Sequence, residues 1–309
     1  MRYLITGGSG LIGSGLVLSL AQHGHEVIVL TRNPEGVILP PEVRAVRWDG
    51  RTAEGWGELA DAADCKVGII NLAGEPIAGR GLLDLRWTAA RKELIRQSRL
   101  LAGQAVTQAV QAAVHKPQLV LQASAVGYYG CTTPDLVTED AAPGTDFLAR
   151  LCVDWEDSTA PVEALGVRRV TARLGVALSH RGGALPRQML LFRWFAGGRL
   201  GTGAQPYPWL HLEDAVSALQ FLAQHPTARG VYNLVAPERV SNDQFGRTLA
   251  RAMRRPYWLP APAWALRLLL GEASSVLLDG QSVSSERLIA LGYRFKYPLL
   301  HLALQQMTG

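Results

Sequence analysis

The residues best suited by type and spacing to do chemistry are the glycines that follow the first apolar run. The segment Thr6–Gly13 has glycine at every third position, as GxxGxxG, and also matches GxGxxG. Such a turn brings bare backbone N–H groups against a pyrophosphate at the positive end of the following helix. The alternative is a tight turn that binds nothing. We predict a dinucleotide site whose first contacts are Gly7, Ser9, Gly10, Leu11, Ile12 and Gly13.

The residues that end the second strand predict which dinucleotide binds. An acidic residue at this position would accept the ribose hydroxyls of NAD, but this chain has Thr31 followed by Arg32. A guanidinium pairs with a 2′-phosphate through two hydrogen bonds, whereas a carboxylate would repel it. We therefore predict NADP(H), with Ser9 as a further hydrogen-bonding side chain. The alternative is that Arg32 is a solvated charge at a strand end.

Strands and helices that alternate through the first half of the chain must position these residues. After the first strand, apolar residues recur at helical spacing until Gly24, which is typical of a helix C-terminus. Continuous apolar runs indicate parallel strands buried on both faces. The fold class predicted is therefore α/β, a Rossmann-type doubly wound parallel sheet. Strands are expected at 3–6, 27–30, 44–48, 67–71, 119–123 and 167–174, and a long helix at 87–114.

The second half of the chain has a weaker alternation. Glycines and prolines crowd residues 182–208, which indicates a lobe built partly from loops. We predict a Rossmann domain at residues 1–174, to which 211–235 returns. A smaller C-terminal substrate lobe would comprise 175–210 and 236–309, with helices at 214–224, 242–253 and 262–271.

Composition excludes several classes of protein. The chain has 309 residues, of which 48% are apolar and 18% charged, so disorder, collagen and coiled coil are excluded. No apolar stretch reaches the ~18 uninterrupted residues that a membrane span needs, and the N-terminus lacks the apolar core of a signal peptide. We expect no membrane association and a cytoplasmic location. The net charge of +5 is spread along the chain, so nucleic acid is not an expected partner.

The three cysteines, Cys65, Cys131 and Cys152, are widely spaced and form no CxxC pair. Neither a disulfide framework nor a metal site is therefore predicted. The expected partner is a small molecule, and the pattern leaves the oligomeric state open.

Further motifs along the chain resemble the extended short-chain dehydrogenases/reductases, the NAD-dependent epimerase/dehydratase family. Together they are similar to its atypical branch, the nucleoside-diphosphate-sugar epimerase family with a C-terminal domain of unknown function. The motifs are Asn71-Leu72-Ala73-Gly74, the strand end from Ser124 to Gly130, Trp155-Glu156, Gly182-Gly183, Gly201-Thr202-Gly203, Trp209-Leu210-His211, Asp214, Asn233 and Ala236-Pro237.

The resemblance implies further contacts with the cofactor. Asp49 would lie near the adenine, and Ser98 would face the nicotinamide side. Glu75 is a carboxylate where the active cleft should open, or else a surface charge. The contacts implied in this way are Asp49, Leu72, Ala73, Gly74, Glu75 and Ser98.

One departure from the family pattern bears directly on chemistry. Active members use a Tyr-x-x-x-Lys pair on the helix after the fifth strand, where the lysine cation favours the phenolate of a tyrosine whose ordinary pKa is ~10. The corresponding helix here spans Asp146–Cys152 and carries Phe147. No lysine lies between Pro117 and Phe295, so no register restores the pair.

Substitutes for this pair can be named at the carboxyl end of the fifth strand. Tyr128 and Tyr129 are candidate catalytic hydroxyls, and packing under the cofactor is the alternative for both. Ser124 is a third candidate, or only a hydrogen-bonding residue beside the cofactor. Arg173 or Arg150 would supply the missing positive charge.

Two further features lie in the second half. His211 is either a proton shuttle or a hydrogen-bonded structural histidine, and Asp214 is expected to cap the following helix. The segment Gly197–Gln205 is a candidate phosphate-binding loop that uses Arg199, or only a loop.

These observations predict an NADP(H)-binding oxidoreductase or epimerase-like protein without the usual catalytic pair. Its substrate would be a nucleotide sugar, another phosphate-bearing molecule or a small carbonyl compound. The alternative is a catalytically silent NADP(H)-binding sensor or scaffold.

Overall fold

The computed structural model describes residues 1–79, 86–131 and 136–308. Seven of its strands form one parallel sheet in the order β3-β2-β1-β4-β5-β7-β10. The strands are β1 (Arg2–Thr6), β2 (Glu26–Thr31), β3 (Arg44–Arg47), β4 (Val67–Asn71), β5 (Leu119–Ala125), β6 (Leu136–Val137), β7 (Arg168–Leu174), β8 (Val176–Leu178), β9 (Trp209–His211), β10 (Gly230–Leu234) and β11 (Ser282–Val283).

Helices cover both faces of the sheet. Side chains of α1 and α5 pack together on one face, while α2 packs on the other with α3 beside it. The helices are α1 (Leu11–Gln22), α2 (Ala89–Ala112), α3 (Phe147–Asp157), α4 (Leu185–Arg193), α5 (Leu212–Gln224), α6 (Asn242–Met253), α7 (Ala263–Leu270), α8 (Ser275–Leu278), α9 (Glu286–Ala290) and α10 (Leu300–Thr308). This arrangement confirms the predicted α/β Rossmann-type doubly wound sheet.

The central strands are apolar along most of their length because both of their faces are covered. All five residues of β4 are buried, as are Val27, Ile28, Val29 and Leu30 of β2. The strand order reverses between β1 and β4, which opens a crevice at the carboxyl edge of the sheet where dinucleotides bind in such folds.

The chain beyond β7 contributes to the sheet and to smaller units. The strand β10 pairs in parallel with β7, and β8 pairs in parallel with β9. A separate apolar cluster joins α4, α6 and α10 through Phe192, Phe245 and Leu304. The glycine- and proline-rich region 182–208 thus contains α4 as well as loops.

The start of α5 differs from the prediction. His211, and not Asp214, caps this helix by accepting the N–H of Glu213. The buried Asp214 carboxylate instead accepts the backbone N–H groups of Lys296 at 2.7 Å and Tyr297 at 2.9 Å. The prediction that Asp214 is a cap was wrong because its carboxylate accepts hydrogen bonds from Tyr293, Lys296 and Tyr297, far along the chain.

Across the described ranges, no helix is both long enough and apolar enough to cross a bilayer.

Candidate dinucleotide site

The turn between β1 and α1 requires glycine at two positions. Gly7 has a φ of +67°, and a Cβ there would fall 2.6 Å from the carbonyl oxygen of Leu72. A Cβ on Gly13 would fall 2.2 Å from the carbonyl oxygen of Gly7. Any larger residue would push the helix away from the turn, so these glycines fix the close approach of α1 to β1.

The first turn of α1 begins without a side-chain cap. Gly10 is the N-cap residue and, in the described part of the chain, no side chain accepts a hydrogen bond at this end. The backbone N–H groups of Leu11, Ile12 and Gly13 precede the first bond within the helix, which Ser14 donates to Gly10 at 2.9 Å. Uncapped N–H groups and the helix dipole together favour an anion at this position.

A cavity of about 480 Å³ opens in front of this turn. All but three of the predicted cofactor residues line it, and the exceptions, Leu11, Ile12 and Gly13, offer backbone N–H groups from α1. The wall also includes residues that no sequence motif marked as a cofactor contact, among them Arg51 and, on α2, Leu94 and Leu101. The lining residues are Gly7, Ser9, Gly10, Leu30, Thr31, Arg32, Asn33, Trp48, Asp49, Gly50, Arg51, Leu72, Ala73, Gly74, Glu75, Pro76, Leu94, Gln97, Ser98 and Leu101.

One end of the cavity carries two exposed guanidinium groups, those of Arg32 and Arg51. Neither forms an ion pair with another residue that the structure describes. Asp49 holds the Arg51 turn, since its carboxylate accepts the N–H groups of Arg51 at 2.7 Å and Thr52 at 2.9 Å. Burial opposes ionisation of Asp49, but these hydrogen bonds outweigh it and lower its pKa.

The floor of the cavity is the loop that follows β4. The hydroxyl of Thr6 donates to Asn71 Oδ1 at 2.6 Å and accepts the N–H groups of Leu72 at 3.1 Å and Ala73 at 3.2 Å. Thr6 and Asn71 are fully buried. The ends of β1 and β4 therefore set the path of this loop through one shared hydroxyl.

The side wall is formed where this loop meets α2. The N–H of Glu75 donates to Ser98 Oγ at 2.9 Å, and the Glu75 carboxylate pairs with Arg91 at 3.2 Å. Ser98 thus lies at the wall of the cavity, and Glu75 is part of an ion pair there.

The candidate catalytic residues lie together at the carboxyl end of β5, outside the lining of the cavity. Ser124 is buried and donates to Glu156 Oε1 at 2.6 Å. Both carboxylate oxygens of Glu156 bind Arg173, at 2.8 and 2.9 Å. Ser124 therefore belongs to a buried ion-pair network that links β5, α3 and β7.

Tyr129 belongs to the same network. Its hydroxyl donates to Asn233 Oδ1 at 2.7 Å and accepts from Arg173 Nη1 at 3.0 Å. Burial raises the pKa of Tyr129, and the Arg173 cation offsets this only in part. At neutral pH this phenol stays protonated and holds β10 against β7.

Tyr128 is more exposed than Ser124 and Tyr129. It is half-buried, and its ring centroid lies 3.3 Å from Arg173 Cζ. Among the described residues its hydroxyl has no hydrogen-bond partner.

Arg150, the other candidate for the positive charge, is exposed and donates to the carbonyl of Asp146 at 3.5 Å. The structure thus brings Arg173, and not Arg150, to the tyrosines.

The helix after β5, α3, is apolar at the positions where the resemblance implies a catalytic pair. Phe147 packs edge-on against Trp87, with ring centroids 5.3 Å apart, and Leu151 is buried in the same cluster. Asp146 caps the helix by accepting the N–H of Ala149 at 2.9 Å.

His211 and the segment Gly197–Gln205 lie away from the cavity. His211 is buried, its Nε2 lies 3.1 Å from Gln306 Oε1, and its ring packs at a tilt of 35° against the ring of Tyr297. Burial lowers the pKa of His211, although its hydrogen bond to Gln306 opposes this. The carbonyl of Gly203 accepts the N–H of Asp243 at 2.9 Å, so the glycine-rich segment packs on the start of α6. Within the described ranges, no cluster of three or more His, Cys, Asp or Glu side chains is arranged to hold a metal ion.

Two family models match the sequence of this chain. The model of the NAD dependent epimerase/dehydratase family matches residues 3–234, three quarters of the chain. This chain belongs to that family. A second model, a domain of unknown function (DUF1731), matches residues 261–307. The resemblance inferred from the motifs is thereby confirmed.

Relatives match this chain over nearly its whole length. An epimerase family protein of Staphylococcus saprophyticus, SSP1921, is 40% identical over 99% of both chains. The epimerase family protein YfhF of Bacillus subtilis is 37% identical over 100% of this chain and 98% of its own.

Solved structures extend the comparison. The crystal structure of human epimerase family protein SDR39U1 (isoform2) with NADPH has a TM-score of 0.86 and 32% identity, covering 100% of this chain and 99% of that one. A Thermus thermophilus UDP-glucose 4-epimerase complex with NAD has a TM-score of 0.76 at 21% identity, covering 100% and 97%. The second likeness is one of fold alone.

Proposed function

We propose that this family member binds NADP(H) across the carboxyl edge of its sheet, with the pyrophosphate against the first turn of α1. The observation that carries the proposal is the shared cavity. Gly7, Ser9 and Gly10, the turn that leads into the uncapped N–H groups of Leu11–Gly13, line the same 480 Å³ space as Arg32 and Arg51. Neither arginine forms an ion pair with a described residue. A dinucleotide with an additional phosphate matches that distribution of positive charge.

The preference for NADP(H) over NAD(H) rests on Arg32 and Arg51. Both are exposed at the wall of the cavity, so both can pair with a 2′-phosphate. The Asp49 carboxylate on the same wall is occupied by backbone N–H groups of its own turn. The NADPH complex of the human relative supports this assignment.

We propose an oxidoreductase or epimerase-like reaction on a nucleotide sugar or a small carbonyl compound. The bound nicotinamide would supply or accept a hydride. Of the three candidate hydroxyls, Tyr128 is the one that is partly exposed and makes no hydrogen bond to a described residue, so it is the proton donor that we propose for the substrate oxygen. Ser124 and Tyr129 would hold β5, β7 and β10 in place. The substrate would lie against residues 175–210 and 236–309.

A second candidate function is an NADP(H)-binding sensor without turnover. The observation that favours it is the apolar surface of α3, where Phe147 and Leu151 pack into a cluster instead of offering a proton donor and a cation.

The cofactor assignment is tested by the charge reversal Arg32→Glu. We expect the affinity for NADPH to fall about 10- to 100-fold, because a charge-assisted hydrogen bond is worth ~1.5–3 kcal/mol, while the affinity for NADH is nearly unchanged. Isothermal titration calorimetry measures both. Arg44→Glu is the matched control, since Arg44 is an exposed arginine of β3 outside the cavity. Equal affinity for NADPH in wild type and Arg32→Glu contradicts the assignment.

Turnover separates the two candidate functions. The enzyme predicts that NADPH absorbance falls when a carbonyl compound of the correct class is added, and that Tyr128→Phe slows this at least ~100-fold while NADPH still binds. The sensor predicts binding with no loss of absorbance in wild type. Full activity in Tyr128→Phe removes Tyr128 from the proposal.

A further inference from the structure

A buried arginine that sequence analysis did not single out lies directly behind the wall of the dinucleotide cavity. Arg99 of α2 is 7% exposed. Its Nη1 donates to the carbonyl of Glu75 at 3.0 Å and to that of Ile95 at 3.1 Å. A Cβ on Gly74 would fall 3.0 Å from Arg99 Cζ, so the guanidinium packs closely against the loop that lines the cavity.

The Arg99 charge has no carboxylate partner within ion-pair distance among the described residues. The nearby Glu75 carboxylate pairs with Arg91, and Nε and Nη2 of Arg99 form no hydrogen bond within the described ranges. The guanidinium instead stacks over the Trp155 ring of α3, with Cζ 4.9 Å from its centroid. Burial lowers the pKa of Arg99 to about 10, so it remains charged at neutral pH.

A buried charge that makes no ion pair destabilises a fold, so its position relative to the ligand matters. A dinucleotide crosses such a sheet at the switch point, here between β1 and β4. With the adenosine over β2 and β3, the nicotinamide lies on the β4–β5 side. Arg99 lies on that side, because it touches the loop after β4 and stacks on α3, the helix that lacks its lysine.

We infer that Arg99 supplies a fixed positive charge to the nicotinamide side of the site, and that the site therefore binds NADPH more tightly than NADP⁺. This inference rests on the proposed function. The oxidised nicotinamide ring carries a positive charge and the reduced ring carries none. A guanidinium held by Glu75 and Ile95 cannot turn away, so it repels the oxidised ring and leaves the reduced ring unaffected.

The test compares Arg99→Met with Arg99→Lys by calorimetric titration of NADPH and NADP⁺. Arg99→Met is expected to reduce the ratio of the two affinities about tenfold, the effect of a unit charge at ~10 Å and an effective dielectric constant of ~20. Arg99→Lys keeps the charge and is expected to keep the ratio. Ser98→Ala is the matched control, because it removes a side-chain hydrogen bond to the backbone of Glu75 without a change of charge. Its effect on the two affinities should be equal.

A purely structural role predicts that Arg99→Met weakens NADPH and NADP⁺ equally, and this result overturns the inference. If thermal melting shows that Arg99→Met does not fold, Arg99→Lys is the deciding variant. A ratio of NADPH affinity to NADP⁺ affinity equal to that of wild type supports the inference. Loss of the preference for NADPH in Arg99→Lys overturns it. If the wild-type protein binds neither nucleotide, the proposed function itself is contradicted. Failure of the proposed function is thereby distinguished from failure of the inference about Arg99.

Discussion

The two halves of the carboxyl edge of the sheet use their polar groups in opposite ways. Over β1–β3 the edge is open, and Arg32 and Arg51 line a cavity without ion-pair partners among the described residues. Over β5–β7 the polar groups turn inward, where Ser124, Glu156 and Arg173 bind one another in a buried network. The comparison indicates that the open half is formed by backbone and exposed charges, whereas the inward-facing half uses its charges to hold the strands together.

The difference between the halves has a physical cause. Phosphate recognition at a helix N-terminus needs only glycine and exposed N–H groups, so it is insensitive to most side-chain changes. A proton-transfer site needs a titratable group with access to the ligand. Tyr129 is buried and its pKa is raised, while Tyr128 is half-buried. Of the three candidate residues in the inward-facing half, Tyr128 is therefore the one that is not buried.

The largest expected effect comes from breaking the inward-facing half. Arg173→Met leaves the Glu156 carboxylate buried without its partner, which costs ~3–5 kcal/mol of the free energy of unfolding. Chemical denaturation measures this. The matched control is Arg247→Met, which breaks an exposed ion pair with Asp243 on α6 and should cost ~0.5 kcal/mol. If Arg173→Met and Arg247→Met lose the same free energy of unfolding, the buried network does not hold the strands together as described.

The next largest effect is expected in the open half. Gly13→Ala places a methyl group 2.2 Å from the carbonyl oxygen of Gly7, so the turn must shift. We expect the free energy of unfolding to fall by ~1–3 kcal/mol. We also expect NADPH affinity to fall at least tenfold, because a loss of about 1.4 kcal/mol in binding free energy corresponds to a tenfold change in affinity. Calorimetry and chemical denaturation measure the two quantities.

The control for Gly13 is Gly15→Ala on the same helix. A Cβ at Gly15 meets only the end of the Val216 side chain, at 2.8 Å, and Gly15 does not line the cavity. Its NADPH affinity should equal that of wild type. A similar loss of affinity in both variants shows that the helix as a whole, and not the turn, governs binding.

Sequence patterns predicted the open half better than the inward-facing half because its determinants are local. The glycine spacing and the Thr31-Arg32 strand end lie within or beside single elements, and the structure places them around one cavity. The Glu156–Arg173 pair joins α3 to β7, and no local pattern in the sequence shows which charges meet.

The errors follow the same rule. Asp214 looked like a cap because it lies at the start of a helix, but Lys296 and Tyr297, far along the chain, donate to it. Leu94 lies at an apolar position of the predicted helix 87–114, yet its side chain is 50% exposed at the cavity wall. No sequence pattern predicts that Arg99 is buried, because its burial depends on the packing of α2 against α3.

The smallest expected effect concerns His211, which lies in neither half. As the α5 cap its Nδ1 must stay unprotonated, and burial lowers its pKa below the ~6.5 of the unfolded chain. Its contribution is present above pH ~6.5 and is lost as the pH falls through the folded pKa. We expect wild type to lose ~1 kcal/mol more than His211→Asn between pH 7 and the folded pKa, because asparagine also caps.

Denaturation midpoints across this pH range measure the difference, since other titrating groups are common to both proteins. NADPH affinity should be the same in wild type and His211→Asn. Parallel stability profiles contradict the capping role, and a loss of NADPH affinity places His211 in the site after all.

The most direct test of the account is a crystal structure of the chain grown with NADP⁺. The account predicts the pyrophosphate against the N–H groups of Leu11–Gly13 and the 2′-phosphate within hydrogen-bond distance of Arg32. A dinucleotide bound elsewhere, or a 2′-phosphate that points away from Arg32, would contradict it.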